Sequence, residues 1–160
     1  MRRISNRLAA LLLSLCIDSV SLQLDVSPKP TPRPRVSRFG GVFYPKPYVE
    51  YYEELQVQLG EATWDRSILN GPVLALVEAV VPKPKSTKLR YPKGDPDNYA
   101  KGPLDAAQKV GVLNDDIQVQ LLASIKRWAE PGEIPHLNVT FGVLPDEALT
   151  EGDGAQAPST

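Results

Sequence analysis

The chain has one cysteine, Cys16, and one histidine, His136, in 160 residues. A disulfide needs two thiols and a Cys/His zinc centre needs several such ligands, so neither can be built within the chain. Any metal it holds must be held by oxygen. The same scarcity argues against the serine- and cysteine-based triads of acyl-transfer hydrolases. Aromatics are sparse at 7 %. The apolar run near the start, "LAALLLSLCI", is far short of the roughly 20 residues that cross a bilayer.

What the chain has in plenty is proline, 16 residues, about twice the usual share, which implies long irregular connections. Apolar residues at 42 % and charged ones at 23 % are the composition of a globular chain. This length suits one domain with a real core. Net charge is −1, but it is segregated. Residues 27–47 carry Lys29, Arg33, Arg35, Arg38 and Lys46 with no acid, and residues 82–93 carry Lys83, Lys85, Lys88, Arg90 and Lys93 with none. The segment from Pro145 carries Asp146, Glu147, Glu151 and Asp153 with no base; setting aside its four negative charges takes the body from −1 to +3.

Residues 1–18 form an N-terminal extension that reads either as a secretory signal or as a helix packed on the body, and no clean small-x-small cleavage pattern follows the apolar run. "SVSLQLDVS" (19–27) alternates Val20, Leu22, Leu24 and Val26 with polar neighbours, the period of a half-buried strand. A basic, proline-broken loop with a Gly-Gly turn signal follows, too long to be a mere connector. Val49, Tyr52, Leu55 and Leu59 lie at helical spacing, with Glu50, Glu53 and Glu54 early in the element. "GPVLALVEAVVP" (71–82) reads as a buried strand. From Pro96 a helix is expected, broken or begun afresh at Pro103, ending at Gly111 and Asn114. Ile117, Val119 and Leu121 alternate as a strand, and Leu137, Val139 and Phe141 as the last one. The order suits an α+β fold, a single mixed β-sheet with helices packed against it, over residues 19–144. The small and acidic residues 145–160 read as a disordered tail.

"GDPDNYAK" (94–101) sets two carboxylates, Asp95 and Asp97, beside a basic stretch, and Asp115 and Asp116 follow just ahead of a strand. If three of these converge, their mutual repulsion is relieved by a hard divalent cation bound through oxygen, and magnesium suits one or two carboxylates plus a substrate phosphate. A calcium loop fails: counted from Asp95, Tyr99 falls at the fifth position, Ala100 at the glycine and Ala106 at the bidentate glutamate. A plain turn with Asp95 and Asp97 as helix caps fits equally well. Lys101, four residues after Asp97, suits either a surface ion pair or a point charge over a scissile phosphate.

The order D-x-D-N, a lysine four residues after the second aspartate, L-D-A and then D-D-x-Q-V resembles the signature of the RusA family of Holliday junction resolvases. Here these are Asp95, Asp97, Asn98, Lys101, Leu104-Asp105-Ala106 and Asp115-Asp116-Ile117-Gln118-Val119. The upstream "PRPRVSRFGGVFYPKPYVEYYEEL" is similar, more weakly, to that family's basic loop and tyrosine-bearing helix. The likeness runs from about Ser19 to Val143; Gly102-Pro103 stands where the family has an apolar helical pair. The resemblance implies that Asp95, Asp97 and Asp116 bind Mg2+, that Lys101 assists at the phosphate, and that Asp115 is less critical. It implies a cytoplasmic homodimer, host- or phage-encoded, that resolves four-way DNA junctions by paired hydrolysis leaving 5′-phosphates, in recombination and repair. Arg33, Arg35, Arg38, Lys46 and Lys93 become the candidate DNA contacts. Phe43 and Tyr44 suit stacking on a junction, with core packing expected for at least one. His136 and Trp128 read as structural. The rival from another class is a branched-DNA-binding module without catalysis.

Overall fold

The computed structural model describes residues 2–146, with side chains from Asn6 onward. Its centre is the strand Val73–Val81 (β4), in which all nine residues are buried. A strand covered on both faces has no place for polar alternation, which is why this segment reads as a continuous apolar run. β4 pairs antiparallel with His136–Val143 (β6) and parallel with Val119–Trp128 (β5), and Asp18–Leu24 (β1) pairs antiparallel with the far side of β6. The sheet is therefore mixed, in the order β1-β6-β4-β5, and the expected α+β arrangement is what forms. Two two-residue strands, Arg35–Val36 (β2) and Val42–Phe43 (β3), make a separate small hairpin from the basic loop.

Parallel neighbours need a crossover, and between β4 and β5 it is the helix Pro96–Lys109 (α3). Together with Lys46–Thr63 (α2) it covers one face of the sheet, burying Leu55, Leu59, Ala106 and Ala107 against Val73, Ala75 and Val77. Each leucine so buried contributes about 1.5–3 kcal/mol. The inward stripe of α2 is Tyr48, Tyr51, Leu55, Leu59 and Thr63. The expected stripe through Val49 and Tyr52 is thus turned by about one residue: Val49 is exposed and Tyr52 half-buried. The two stripes share Leu55 and Leu59; the larger rings of Tyr48 and Tyr51 decide the choice, and the Tyr48 hydroxyl is satisfied by Thr31 Oγ1 at 2.8 Å.

Pro103 neither breaks nor starts a helix. α3 runs through it, with Gly102 and Pro103 both buried. Pro103 forfeits one helical hydrogen bond, but Gly102 lets α2 come close: a methyl there would stand 3.2 Å from the Tyr48 hydroxyl and 3.6 Å from the Tyr51 ring. Tight helix packing offsets the lost bond. α3 ends as expected at Gly111, whose φ of +81° suits glycine.

The helix Arg2–Leu13 (α1) lies on the other sheet face, where Leu8, Ala9, Leu12 and Cys16 pack on Leu74, Leu76 and Leu144. Beyond it that face holds a buried polar network. Arg127 bonds Glu78 at 2.9 Å and Glu133 at 2.6 and 2.8 Å, and Asn138 donates to Glu78. Both carboxylates, Glu133 first, hold the Arg127 guanidinium above its ordinary pKa. His136 and Trp128 are structural: the His136 ring spans Ile134 O and Asn138, and the Trp128 indole donates to Leu89 O. Among the described residues no helix is long and apolar enough to cross a membrane. The acidic tail lies almost wholly outside the described residues.

Candidate active site

Asp95 occupies the N-cap position of α3, but its side chain makes no capping hydrogen bond. Asp97 follows in the first turn, and both carboxylates are exposed. The helix dipole favours acids there, yet the capping role that would explain Asp95 as mere structure is not exercised. Lys101, one turn on, is exposed and forms no ion pair with Asp97. The simple surface pair that the spacing suggests does not form.

Three ties hold the start of α3. Ser124 Oγ on β5 donates to Pro96 O at 2.5 Å. Lys126 Nζ, also on β5, donates to Pro92 O at 2.8 Å and to Gly94 O. The Thr31 N–H donates to Asn98 O at 2.8 Å, binding the stem of the basic loop to the same turn. Gly94, with φ of +86°, makes the turn; a side chain there would press on Pro30.

Asp116 opens a short 3-10 turn, Asp116–Gln118 (η1), rather than a strand, so the expected strand start at Ile117 moves to β5 at Val119, and Ile117 is 75 % exposed. The cause is a capping box. Asp115 accepts from the Ile117 N–H at 3.0 Å, and Gln118 Oε1 accepts from the Asn114 and Asp115 N–H groups at 2.7 and 3.1 Å. The Gln118 amide also donates to Leu69 O and Gly71 O at 2.9 and 3.0 Å, clamping the turn to the approach of β4. That bond from Ile117 is the first cause holding the Asp115 carboxyl below its usual pKa. Asp115 is thus employed in the turn, while the Asp116 side chain stands exposed.

η1 packs on α3, and Asp105 marks where they meet. Burial pushes the Asp105 carboxyl above its ordinary pKa; Lys101 opposes the shift and Asp116 adds to it. Asp97, Lys101 and Asp105 follow at intervals of four along one face of α3. Among the described residues, however, no group of three or more His, Cys, Asp or Glu side chains is gathered closely enough to hold a metal ion. Asp95 and Asp97 share a turn and Asp116 lies across on η1, without forming a closed ligand set. The donors available there are hard oxygens, the kind that suit magnesium, calcium or manganese.

The candidate DNA contacts Arg33, Arg35, Arg38, Lys46 and Lys93 are all exposed. Arg35 lies on β2 and Arg38 beside the hairpin turn; Lys46 starts α2 and lies 3.6 Å from Glu50. Phe43 and Tyr44 are 47 % and 38 % exposed, so the expected core role of one of them is not met: the hairpin projects from the body and has no core of its own. Phe39, 96 % exposed beside Gly40, is the aromatic that sequence reasoning passed over. Asp105, Gln118 and Lys126 were missed as well. Asp105 left a positional signal, its spacing of four from Lys101, and Gln118 another, its place three residues after Asp115.

The family model for endodeoxyribonuclease RusA matches residues 25–140, from the end of β1 through α3 and η1 into β6. A search of the curated proteins finds no match. The matched span covers most of the chain and contains every candidate site residue, and the chain belongs to the RusA endodeoxyribonuclease family.

Proposed function

We propose that the protein is a magnesium-dependent endonuclease that resolves four-way (Holliday) DNA junctions by paired, symmetric phosphodiester hydrolysis leaving 5′-phosphates, in recombination and repair. The observation that carries this reading is the exposed set Asp95, Asp97 and Lys101 on the first turns of α3, with Asp116 on the adjoining η1, inside a chain of this family. Asp95, Asp97 and Asp116 would hold the cation, and a substrate phosphate would complete a ligand set that the carboxylates alone leave open. Bound there, magnesium supplies Lewis-acid polarisation of the phosphodiester and an activated water. Lys101 sets a positive charge beside the phosphate, where charge grows in the transition state. Arg33, Arg35, Arg38, Lys46 and Lys93 grip the backbone without reading sequence. Paired nicks in opposed strands call for two sites related by a two-fold axis, hence a homodimer.

The open ligand set is also what a binding module without catalysis would show, and one experiment separates the two. Purified protein with magnesium is expected to nick a four-way junction at symmetric positions and to leave linear duplex of the same sequence intact. Junction binding without cutting in any divalent metal supports the binding module instead.

A further inference from the structure

Beside the acidic face of α3 lies a cavity of about 190 Å³, lined by Thr31, Tyr44, Tyr48, Val49, Tyr52 and Asp105. Its walls are aromatic. The Tyr44 and Tyr48 ring centroids are 5.5 Å apart; those of Tyr48 and Tyr52 are 6.4 Å apart, with planes only 13° from parallel. The hydrogen bond between Tyr48 and Thr31 fixes the middle ring. Among these rings stands a single charged side chain, half-buried Asp105, which has no hydrogen bond or ion pair among the described residues. A mostly apolar pocket with one placed polar group is the make-up of a site for a small planar ligand.

We propose that this cavity receives one unstacked nucleobase of the bound DNA, held against Tyr44 and Tyr52 and read by Asp105, which accepts a hydrogen bond from an exocyclic amine. The proposal rests on the junction-cleaving reading and deepens it. Position supports it: Asp105 is electrostatically in touch with Lys101 and Asp116, so the cavity adjoins two of the side chains that would face the scissile phosphate. Charge supports it too, since exposed Arg33, Arg35 and Arg38 lie on the loop that joins Thr31 to Tyr44, and exposed Lys46 follows it. A DNA backbone drawn onto those cations brings its bases toward the rings. Chemistry completes it. Every base has a face that stacks on an aromatic ring, but an ionised carboxylate only accepts hydrogen bonds. Adenine, cytosine and guanine offer an amine; thymine offers a single ring N–H between two carbonyl oxygens that repel the carboxylate.

The test measures binding in EDTA, so that nothing is cut, to four junctions of fixed crossover that differ only in the base at the crossover. Native protein should bind the adenine, cytosine and guanine junctions roughly fivefold or more tightly than the thymine one, the lower end of what a good base contact discriminates. Asp105→Asn, whose amide both donates and accepts, should bring the four affinities together. Tyr52→Leu should weaken all four alike. Junction binding by native protein without base preference overturns the pocket alone, as does an undiminished preference in Asp105→Asn. Junctions bound no better than linear duplex overturn the junction reading and the pocket with it.

Discussion

A carboxylate placed among tyrosine rings without a partner is costly, and Asp105 shows that cost in a raised pKa, caused first by burial. A raised pKa means that the folded chain binds this proton more tightly than the unfolded chain does. Stability therefore falls as pH rises through the interval between the unfolded and folded values, and the penalty is fully present above it. In metal-free protein, Asp105→Asn should melt at a higher temperature than the native chain at pH 7, and the gain should vanish as pH is lowered below the ordinary aspartate range. Thermal melts across that range check it; an unchanged melting temperature at pH 7 counts against the unpartnered placement. At this scale Asp95, Asp97, Lys101 and Asp116 were legible as candidates through their match to the family signature, since spacing alone left a capped turn and a surface ion pair open. Asp105 was quoted only as part of L-D-A, because its environment is made by Tyr44, Tyr48 and Tyr52, which spacing along α3 does not reveal.

Two elements, α3 and η1, present the candidate carboxylates, and the side chain that fixes η1 is Gln118. It accepts from two N–H groups and donates to two carbonyls, tying the turn to the approach of β4. Gln118→Ala should destabilise the fold by about 1–3 kcal/mol, measured by urea unfolding. It should also lower cutting beyond the loss of folded protein, because Asp116 is no longer held. The four strands of the main sheet and α2 were readable from periodicity and apolar runs, and α3 from its cap and prolines, whereas the β2–β3 hairpin was not. Three departures were not readable either; the first two have a tertiary cause and the third a local one. Pro103 stays helical because Gly102 lets Tyr48 and Tyr51 pack close. The α2 stripe turns onto Tyr48 because Thr31 satisfies its hydroxyl. Ile117 leaves the strand because Asp115 and Gln118 cap a turn there. The last was visible in principle, as an aspartate followed three residues later by glutamine is a capping-box pattern.

Across the whole molecule, a net charge of −1 conceals a cationic hairpin and a cationic loop that flank the acidic face of α3. Neutralising DNA phosphates with such side chains releases counterions, so affinity for a junction should fall with salt at a log–log slope of about 0.9 per contact, and Arg35→Ala should make that slope shallower by about one. Titration of native and variant protein in potassium chloride checks this, and a slope near zero would remove the hairpin from the interface. Under the proposed function, the carboxylates of α3 and η1 would take the cation and these basic segments the phosphate. The most direct test of that arrangement is Asp97→Asn on a four-way junction with magnesium, with binding and cutting measured on the same preparation. The account expects junction affinity close to native and cutting reduced by orders of magnitude. Cutting at the native rate would contradict it.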